Sequence, residues 1–210
     1  MNKMLKAALL LSASLLPLSS MAMPEAFIDG VHYKATPTRL ATNSDNKIEV
    51  IELFSYSCPH CFRLDPQVQQ WKETLPENVT FTHVPAIFRD SWLQLARVFY
   101  AAEATGDLEK LHPLLFNAIH VEKRRLQTEE QLLDFVAEQN IDRDAFAKTM
   151  KSMSVAGKVK KALMLSQNSG ITGVPAMIVN GQYRTDAPLA GSMTDMLKTV
   201  DFLIQKESAK

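Results

Sequence analysis

The sequence contains very little cysteine, with only Cys58 and Cys61 among 210 residues. Two cysteines cannot build the multi-disulfide framework that holds small secreted domains together. The fold must therefore rest on an apolar core, and 46% apolar residues are enough to form one. A disulfide between these two residues would close so short a loop that it would stabilise the chain little. A purely structural bond is therefore the weaker interpretation of the pair.

The sequence also lacks net charge and regular metal-ligand spacing. It has 23 Lys and Arg residues against 23 Asp and Glu. This balance gives no reason to expect nucleic acid or an acidic membrane surface as a partner. There is no second CxxC and no HxxxH, so a zinc ion would lack its usual four ligands. We predict no metal and no cofactor. A metal carrier remains an alternative that requires stoichiometric metal in the purified protein.

A long apolar run is absent after residue 22, but the first 22 residues differ from the rest. Lys3 and Lys6 precede an Ala- and Leu-rich run over 7–18, and the small residues Ser20 and Ala22 follow. This pattern is typical of a secretory signal peptide cleaved after Ala22. A retained N-terminal anchor is the alternative. Export would place the cysteine pair in an oxidising compartment, where a CxxC motif can act as an oxidant.

Periodicity divides the remaining chain into strand-rich ends and a helical middle. We predict strands at 47–55 and 79–84, with a helix over 62–75 between them. A short edge strand is also predicted near 32–35. From 90 to 168 the sequence shows only helical patterns. One of them is marked by a capping box in which Thr128 and Gln131 stand three residues apart. Another helix is predicted over 111–120, with Pro113 in its first turn.

Strand character returns at 176–179, and Asn180-Gly181 predicts a hairpin to a return strand at 182–184. A final amphipathic helix is predicted over 192–205. The predicted order is β-β-α-β, a helical block, then β-β-α, which makes this an α/β protein carrying an all-helical insertion.

The sequence Cys58-Pro59-His60-Cys61, called here the CPHC motif, lies where the strand over 47–55 passes into a helix. A Cys58 thiolate at a helix N-terminus would face unpaired N–H groups and the positive end of the helix dipole. His60 adds a group that can carry positive charge, and Pro59 suits the first helical position. A stabilised thiolate is a good leaving group, so this disulfide would tend to oxidise other thiols. Cys61, one turn further on, is the candidate resolving thiol.

Two further features outside the motif are candidates for the site. Glu52 lies in the middle of the apolar strand, where a buried carboxyl group could exchange a proton with Cys61. The alternative is that Glu52 faces solvent at a strand edge. Pro175, in Thr172-Gly173-Val174-Pro175, opens a strand and suits a tight turn that could contain a cis peptide bond. We expect His32, His83, His112 and His120 to be structural or surface residues.

Two segments resemble the DsbA-type periplasmic thiol:disulfide interchange proteins. Residues 50–61 (VIELFSYSCPHC) are similar to the family's active-site strand and helix start, and residues 173–183 (GVPAMIVNGQY) to its cis-proline loop and hairpin. The likeness implies a thioredoxin-like fold with an inserted all-helical domain. In this division, 23–86 and 163–210 form the thioredoxin-like domain and 87–162 form the insertion.

The resemblance also implies roles for particular residues. Cys58 would be the exposed nucleophile and Cys61 the resolving thiol. Gly173, Val174 and Pro175 would line a groove beside them, with Pro175 in the cis form and the backbone of Val174 pairing with an extended substrate.

Glu52 matches the buried acid of the same family. Some members have a lysine near that acid on the next strand, where this chain reads Thr80-Phe81-Thr82-His83. The resemblance therefore supplies no ion partner for Glu52.

The implied function is that of a monomeric periplasmic oxidase. Its substrates would be reduced or unfolded exported proteins, and a DsbB-type membrane quinone oxidoreductase would reoxidise it. One alternative is a disulfide isomerase or reductase on the same fold, although periplasmic isomerases carry a separate dimerisation domain for which this chain has no room. Another alternative is a binding module or chaperone whose thiols are incidental.

Overall fold

A computed structural model describes residues 27–42 and 46–210. The predicted signal peptide over 1–22 and its cleavage after Ala22 lie outside the described residues. Within the described ranges, no helix is both long and apolar enough to cross a membrane.

Within the described residues the sheet has five strands, in the order β1-β5-β4-β2-β3. These are β1 Lys34–Ala35, β2 Ile48–Phe54, β3 Val79–Pro85, β4 Ala176–Val179 and β5 Tyr183–Asp186. The central strand β2 runs parallel to β3 and antiparallel to β4, and all seven of its residues are buried. A strand covered on both faces reads as a nearly continuous apolar run, which is how β2 could be identified from the sequence.

Eight helices accompany the sheet in the described part of the chain. They are α1 Pro59–Lys72, α2 Leu93–Thr105, α3 Leu108–His120, α4 Glu129–Glu138, α5 Arg143–Met150, α6 Met153–Asn168, α7 Ala187–Ala190 and α8 Met193–Ser208. A single 3₁₀ turn, Asp90–Trp92, precedes α2. The predicted helical block is confirmed, since all residues from 90 to 168 are described and none lies in a strand. The short helix α7 was not predicted.

Helix α1 begins at Pro59, the residue predicted for the first helical position, and continues past Pro66 to Lys72, three residues before the predicted end at 75. Pro66 lacks an N–H group and removes one hydrogen bond from the helix interior. The helix is held nevertheless by Leu64, Val68 and Trp71, which are buried on one face against the sheet. Burial of each such side chain contributes about 1.5–3 kcal/mol, enough together to offset the proline.

Two details of the helical block test the sequence predictions. The capping box is confirmed: the Thr128 hydroxyl accepts a hydrogen bond from the Gln131 N–H, and the Gln131 side-chain oxygen accepts one from the Thr128 N–H. The prediction that Pro113 occupies the first turn of its helix was wrong. Helix α3 begins at Leu108, so Pro113 lies in its second turn.

Side chains that alternate along the strands pack into two hydrophobic cores, one on each face of the sheet. Val50 and Met177 pack on one face with α1 and α8. Ile51 and Ile178 pack on the other face, in a core that continues into the helical block. The predicted domain boundary between residues 162 and 163 falls inside α6, Met153–Asn168.

The hairpin between β4 and β5 turns at Asn180 and Gly181, as predicted, and both residues have positive φ angles, 50° and 62°. Gly181 is required for a second reason. A Cβ atom there would lie 2.3 Å from the backbone oxygen of Leu40. The Leu40 N–H also donates to the Gly181 carbonyl at 2.9 Å. This hydrogen bond and the close approach together hold the segment before β2 against the hairpin.

Candidate active site

The two thiols lie at the start of α1, directly beyond the end of β2. Cys58 is the N-cap residue, with φ −94° and ψ 117°, and its N–H donates to the Ser55 carbonyl at 3.0 Å. Cys58 is half-buried, whereas Cys61 is 1% exposed. Both are free thiols in the structure. The strand–turn–helix junction therefore presents one sulfur to solvent and buries the other one turn below it.

The environment moves the pKa values of the two thiols in opposite directions. A hydrogen bond from the Cys61 side chain is the largest cause that lowers the pKa of Cys58, to about 6. The backbone N–H groups of Cys61 and His60 and the charge of the His60 ring lower it further, against the opposing effect of burial. Burial is the main cause that raises the pKa of Cys61 far above its ordinary value. At neutral pH, Cys58 is therefore largely a thiolate and Cys61 a neutral thiol.

His60 is exposed, and its Nδ1 lies 2.8 Å from an Arg63 guanidinium nitrogen. The guanidinium can only donate, so Nδ1 accepts while the ring is neutral, and a positively charged ring has to give up this hydrogen bond. Pro59 is also exposed and occupies the first position of α1, as predicted.

Replacing His60 with alanine is expected to raise the pKa of Cys58 by roughly one unit or less, because the ring's charge is removed while the backbone N–H group remains. The ultraviolet absorbance of the thiolate, followed against pH in the reduced protein, measures this shift. His32→Ala, on the N-terminal segment, is the matched control and should leave the titration unchanged. A titration unchanged in His60→Ala would contradict the assigned contribution of the ring.

Glu52 is 3% exposed, so the alternative of a solvent-facing strand edge is excluded. The parallel register of β2 and β3 places Glu52 beside His83, and the carboxylate Oε2 lies 2.7 Å from the imidazole Nδ1. The resemblance supplied no partner for Glu52, and in the structure His83 occupies that place. The charge of Glu52 also contributes to the raised pKa of Cys61.

The loop before β4 meets the motif from the other side. The Val174–Pro175 peptide bond is cis, as the sequence suggested. The Cys58 sulfur lies 3.4 Å from the Val174 carbonyl oxygen, to which it donates only in its protonated form. Gly173 is exposed, Val174 is half-buried and Pro175 is buried. The fold thus brings together two segments about 115 residues apart in the sequence.

Sequence reasoning missed two histidines of α3 that hold the active-site loop. His112 is buried and its Nδ1 lies 2.8 Å from the Tyr56 hydroxyl. His120 donates from Nε2 to the Tyr56 carbonyl at 2.8 Å and stacks on Phe62, with ring centroids 5.0 Å apart. A signal was available, because His112, Phe116 and His120 follow at intervals of four and so share one helix face.

Among the described residues, one group has the geometry to hold a metal ion: Asp65, His83 and His112, whose ligand atoms all lie within 4.8 Å of one another. The three come from α1, β3 and α3, so no short spacing in the sequence announces them.

Comparison with known proteins gives a consistent result. Residues 76–199 match the model of the DSBA-like thioredoxin domain. The chain is 39% identical over 210 residues to the thiol:disulfide interchange protein DsbA of Azotobacter vinelandii, covering 99% of this chain and 98% of that protein. The corresponding protein of Pseudomonas aeruginosa PAO1 is 36% identical over 209 residues, covering 100% and 98%.

Solved structures agree with the sequence comparison. The crystal structure of P. aeruginosa DsbA superposes with a TM-score of 0.83 at 38% identity, covering 87% of this chain and 95% of that one. DsbA of Xylella fastidiosa gives a TM-score of 0.79 at 31% identity, covering 85% and 96%. These matches confirm the predicted thioredoxin-like α/β fold with inserted helices. The chain therefore belongs to the DsbA family of thiol:disulfide interchange proteins, and it is a protein thiol:disulfide oxidoreductase.

Proposed function

We propose that this protein is a periplasmic dithiol oxidase that donates a Cys58–Cys61 disulfide to newly exported reduced proteins. The observation that carries the proposal is the opposed tuning of the two thiols. Cys58 has a pKa of about 6, while burial raises that of Cys61. A stabilised Cys58 thiolate favours the reduced form of the pair, and a pair that prefers to be reduced oxidises its clients.

The exchange takes two steps. A client thiolate attacks the Cys58 sulfur, the bond between the two cysteines breaks, and Cys61 leaves and takes up a proton. A second client thiolate then attacks the client sulfur of the mixed disulfide and expels the Cys58 thiolate. Two electrons pass from the client to the cysteine pair, and the client gains the disulfide. A low thiol pKa makes Cys58 a fast leaving group in the second step.

The position of Glu52 supports a role in the first step. The Cys61 sulfur is buried, so its thiolate is costly and must be protonated as it leaves. The charge of Glu52 contributes to the raised pKa of Cys61, and this coupling supports a proton transfer between the two groups. We infer that Glu52 is the proton donor and acceptor for Cys61.

Replacing Glu52 with glutamine is expected to slow the step that releases or deprotonates Cys61 by about tenfold or more, because an amide cannot transfer the proton. Glu49→Gln is a matched control, since Glu49 is 4% exposed on the same strand but points to the opposite face of the sheet. Stopped-flow measurement of disulfide exchange against pH separates the two variants. Equal rates in Glu52→Gln and the wild type would contradict the assignment.

The loop beside the motif is the proposed client-binding groove. The Val174 carbonyl already contacts the Cys58 sulfur at 3.4 Å, so an extended client segment bonded to this backbone would lie against the reacting sulfur. Gly173 is exposed on the same loop, and Pro175 is buried beneath it. Main-chain pairing is insensitive to side-chain identity, which suits an enzyme that serves many clients.

Regeneration requires an external oxidant, since donation leaves both cysteines reduced. We propose that a DsbB-type membrane quinone oxidoreductase restores the disulfide, and that the protein acts as a monomer after removal of its signal peptide. The family membership supports this partner and compartment.

A redox titration tests the oxidase proposal against the isomerase or reductase alternative. The protein is equilibrated in glutathione buffers of varied composition, and the fraction of reduced Cys58–Cys61 pair is read from trapped thiols. The oxidase proposal predicts a potential above that of the glutathione pool. A potential as low as that of thioredoxin, about −270 mV, would overturn it and favour a reductant.

A further inference from the structure

Three ligand-type side chains from separate elements meet behind the thiols, at the Asp65, His83 and His112 group. Their side chains are mostly buried, at 15%, 14% and 7% exposure. The Asp65 Oδ1 and His112 Nε2 atoms are 3.1 Å apart. Two ligand atoms bound to one tetrahedral zinc ion lie about 3.3 Å from each other, given bond lengths near 2.0–2.1 Å. The separation of these two atoms is therefore already close to that of two ligands of one zinc ion.

His83 supplies a nitrogen that is free to bind an ion. Its Nδ1 is engaged by the Glu52 carboxylate at 2.7 Å. Its Nε2 is buried and has no hydrogen-bond partner within the described part of the chain. Burying a polar nitrogen without a hydrogen-bond partner costs free energy, and an ion bound to the nitrogen would remove that cost. With a proton on Nδ1, the Nε2 lone pair is available as a ligand.

In both histidines, the ring nitrogen that would not bind the ion has a hydrogen-bond partner, as is usual for metal-binding histidines. A ligating imidazole commonly donates its other ring N–H to a carboxylate or another oxygen, which fixes the tautomer and the ring orientation. Glu52 holds His83 in this way, and the Tyr56 hydroxyl lies 2.8 Å from the Nδ1 of His112. Ion binding would move the His112 proton from Nε2 to Nδ1, where the Tyr56 oxygen accepts it, with no net proton change.

We propose that Asp65, His83 and His112 form a binding site for a divalent late first-row transition-metal ion, with Zn²⁺ as the best fit. Two imidazoles and one carboxylate suit zinc, which takes such sets with water in a fourth position. Imidazole ligands disfavour Mg²⁺ and Ca²⁺, which prefer oxygen. The ion would tie α1 and β3 to α3 of the helical block, and it would hold His83 as the N–H donor to Glu52.

Cobalt titration of the full mature chain, without a histidine tag, tests the site. The Cys58–Cys61 pair is first oxidised so that neither thiol can serve as a ligand. We expect one Co²⁺ per chain, visible d–d absorbance without sulfur-to-metal charge transfer, and displacement by Zn²⁺. Asp65→Asn and His112→Gln should each weaken binding at least tenfold. Tyr56→Phe should weaken it about 10- to 100-fold, because it removes the partner of a ligating ring.

Asp144→Asn is the matched control, because Asp144 is an exposed carboxylate on α5 outside the group, and it should bind cobalt as the wild type does. Thermal unfolding of the oxidised wild type gives a test without substitution, since Zn²⁺ should raise Tm and a chelator should reverse the rise. Failure of the oxidised wild type to bind one equivalent, or unchanged binding by Asp65→Asn, would overturn the proposal. Neither outcome bears on the oxidase proposal, because the thiols are outside the site.

Discussion

Replacing Cys58 with serine is expected to reduce disulfide donation at least roughly a thousandfold, to the uncatalysed background, because a hydroxyl group cannot form or carry the exchanged bond. Oxidation of a reduced client protein, followed by the loss of its free thiols, measures the effect. Cys58 is not needed for the packing of the core, since it is half-buried at the N-cap position of α1. Serine also favours that position, so the variant should fold.

Cys61→Ser is the informative partner of this variant. It keeps the reactive Cys58 and the helix start but removes the second thiol of the pair. When a disulfide-bonded client is supplied, the Cys58 thiolate still attacks it, one client sulfur joins Cys58 and the other leaves as a thiolate. Cys61 is no longer present to release this mixed disulfide in the reverse direction of the exchange, so client-linked species should accumulate on non-reducing gels. Full activity in Cys58→Ser would instead favour a binding module or chaperone whose thiols are incidental.

The second large effect expected is on stability in the reduced state. Between pH of about 8 and about 5.5, the reduced protein should lose about 2 kcal/mol of its free energy of unfolding relative to the oxidised protein. The folded-state pKa of Cys58, about 6, lies below the unfolded value of about 8.5. Such a group stabilises the fold above the unfolded pKa, and the stabilisation is lost as pH falls through the folded pKa.

Cys61 contributes little to the pH dependence of the free energy of unfolding in this range. Its pKa is raised by burial, so it is protonated in the folded state throughout, and in the unfolded state it is largely protonated below about pH 8. Urea unfolding of the reduced and oxidised proteins at both pH values measures the difference. The oxidised protein is the control because it carries every other titrating group but no free thiol. Parallel pH dependence in the two forms would contradict a thiolate at Cys58.

Several elements could be predicted because their signals are local. The apolar run of β2, the proline at the start of α1, the capping box at Thr128 and the Asn180-Gly181 turn each depend on neighbouring residues. Such features follow from backbone preferences and short-range hydrogen bonds, which a few consecutive residues determine. The position of the CPHC motif at a strand–helix junction was available in the same way.

Partners from different elements could not be predicted in this way. Glu52 and His83 are 31 residues apart, and their contact depends on the parallel register of β2 and β3. His112 reaches Tyr56 only because α3 packs over the active-site loop. Asp65 joins His83 and His112 for the same reason, with three elements meeting at one place. Periodicity identifies the face of a helix or strand, but not the residue that faces it.

The sequence by itself determined the pair of thiols, their place at the start of a helix, the strand that leads to them and the proline turn before β4. Those follow from residue type and from spacing along the chain. Only the tertiary structure decided that Glu52 is buried, that the Val174 carbonyl oxygen lies 3.4 Å from the Cys58 sulfur, and that His83 pairs with Glu52. These depend on which surfaces exclude water together, and burial and pairing are what set the pKa values of buried groups.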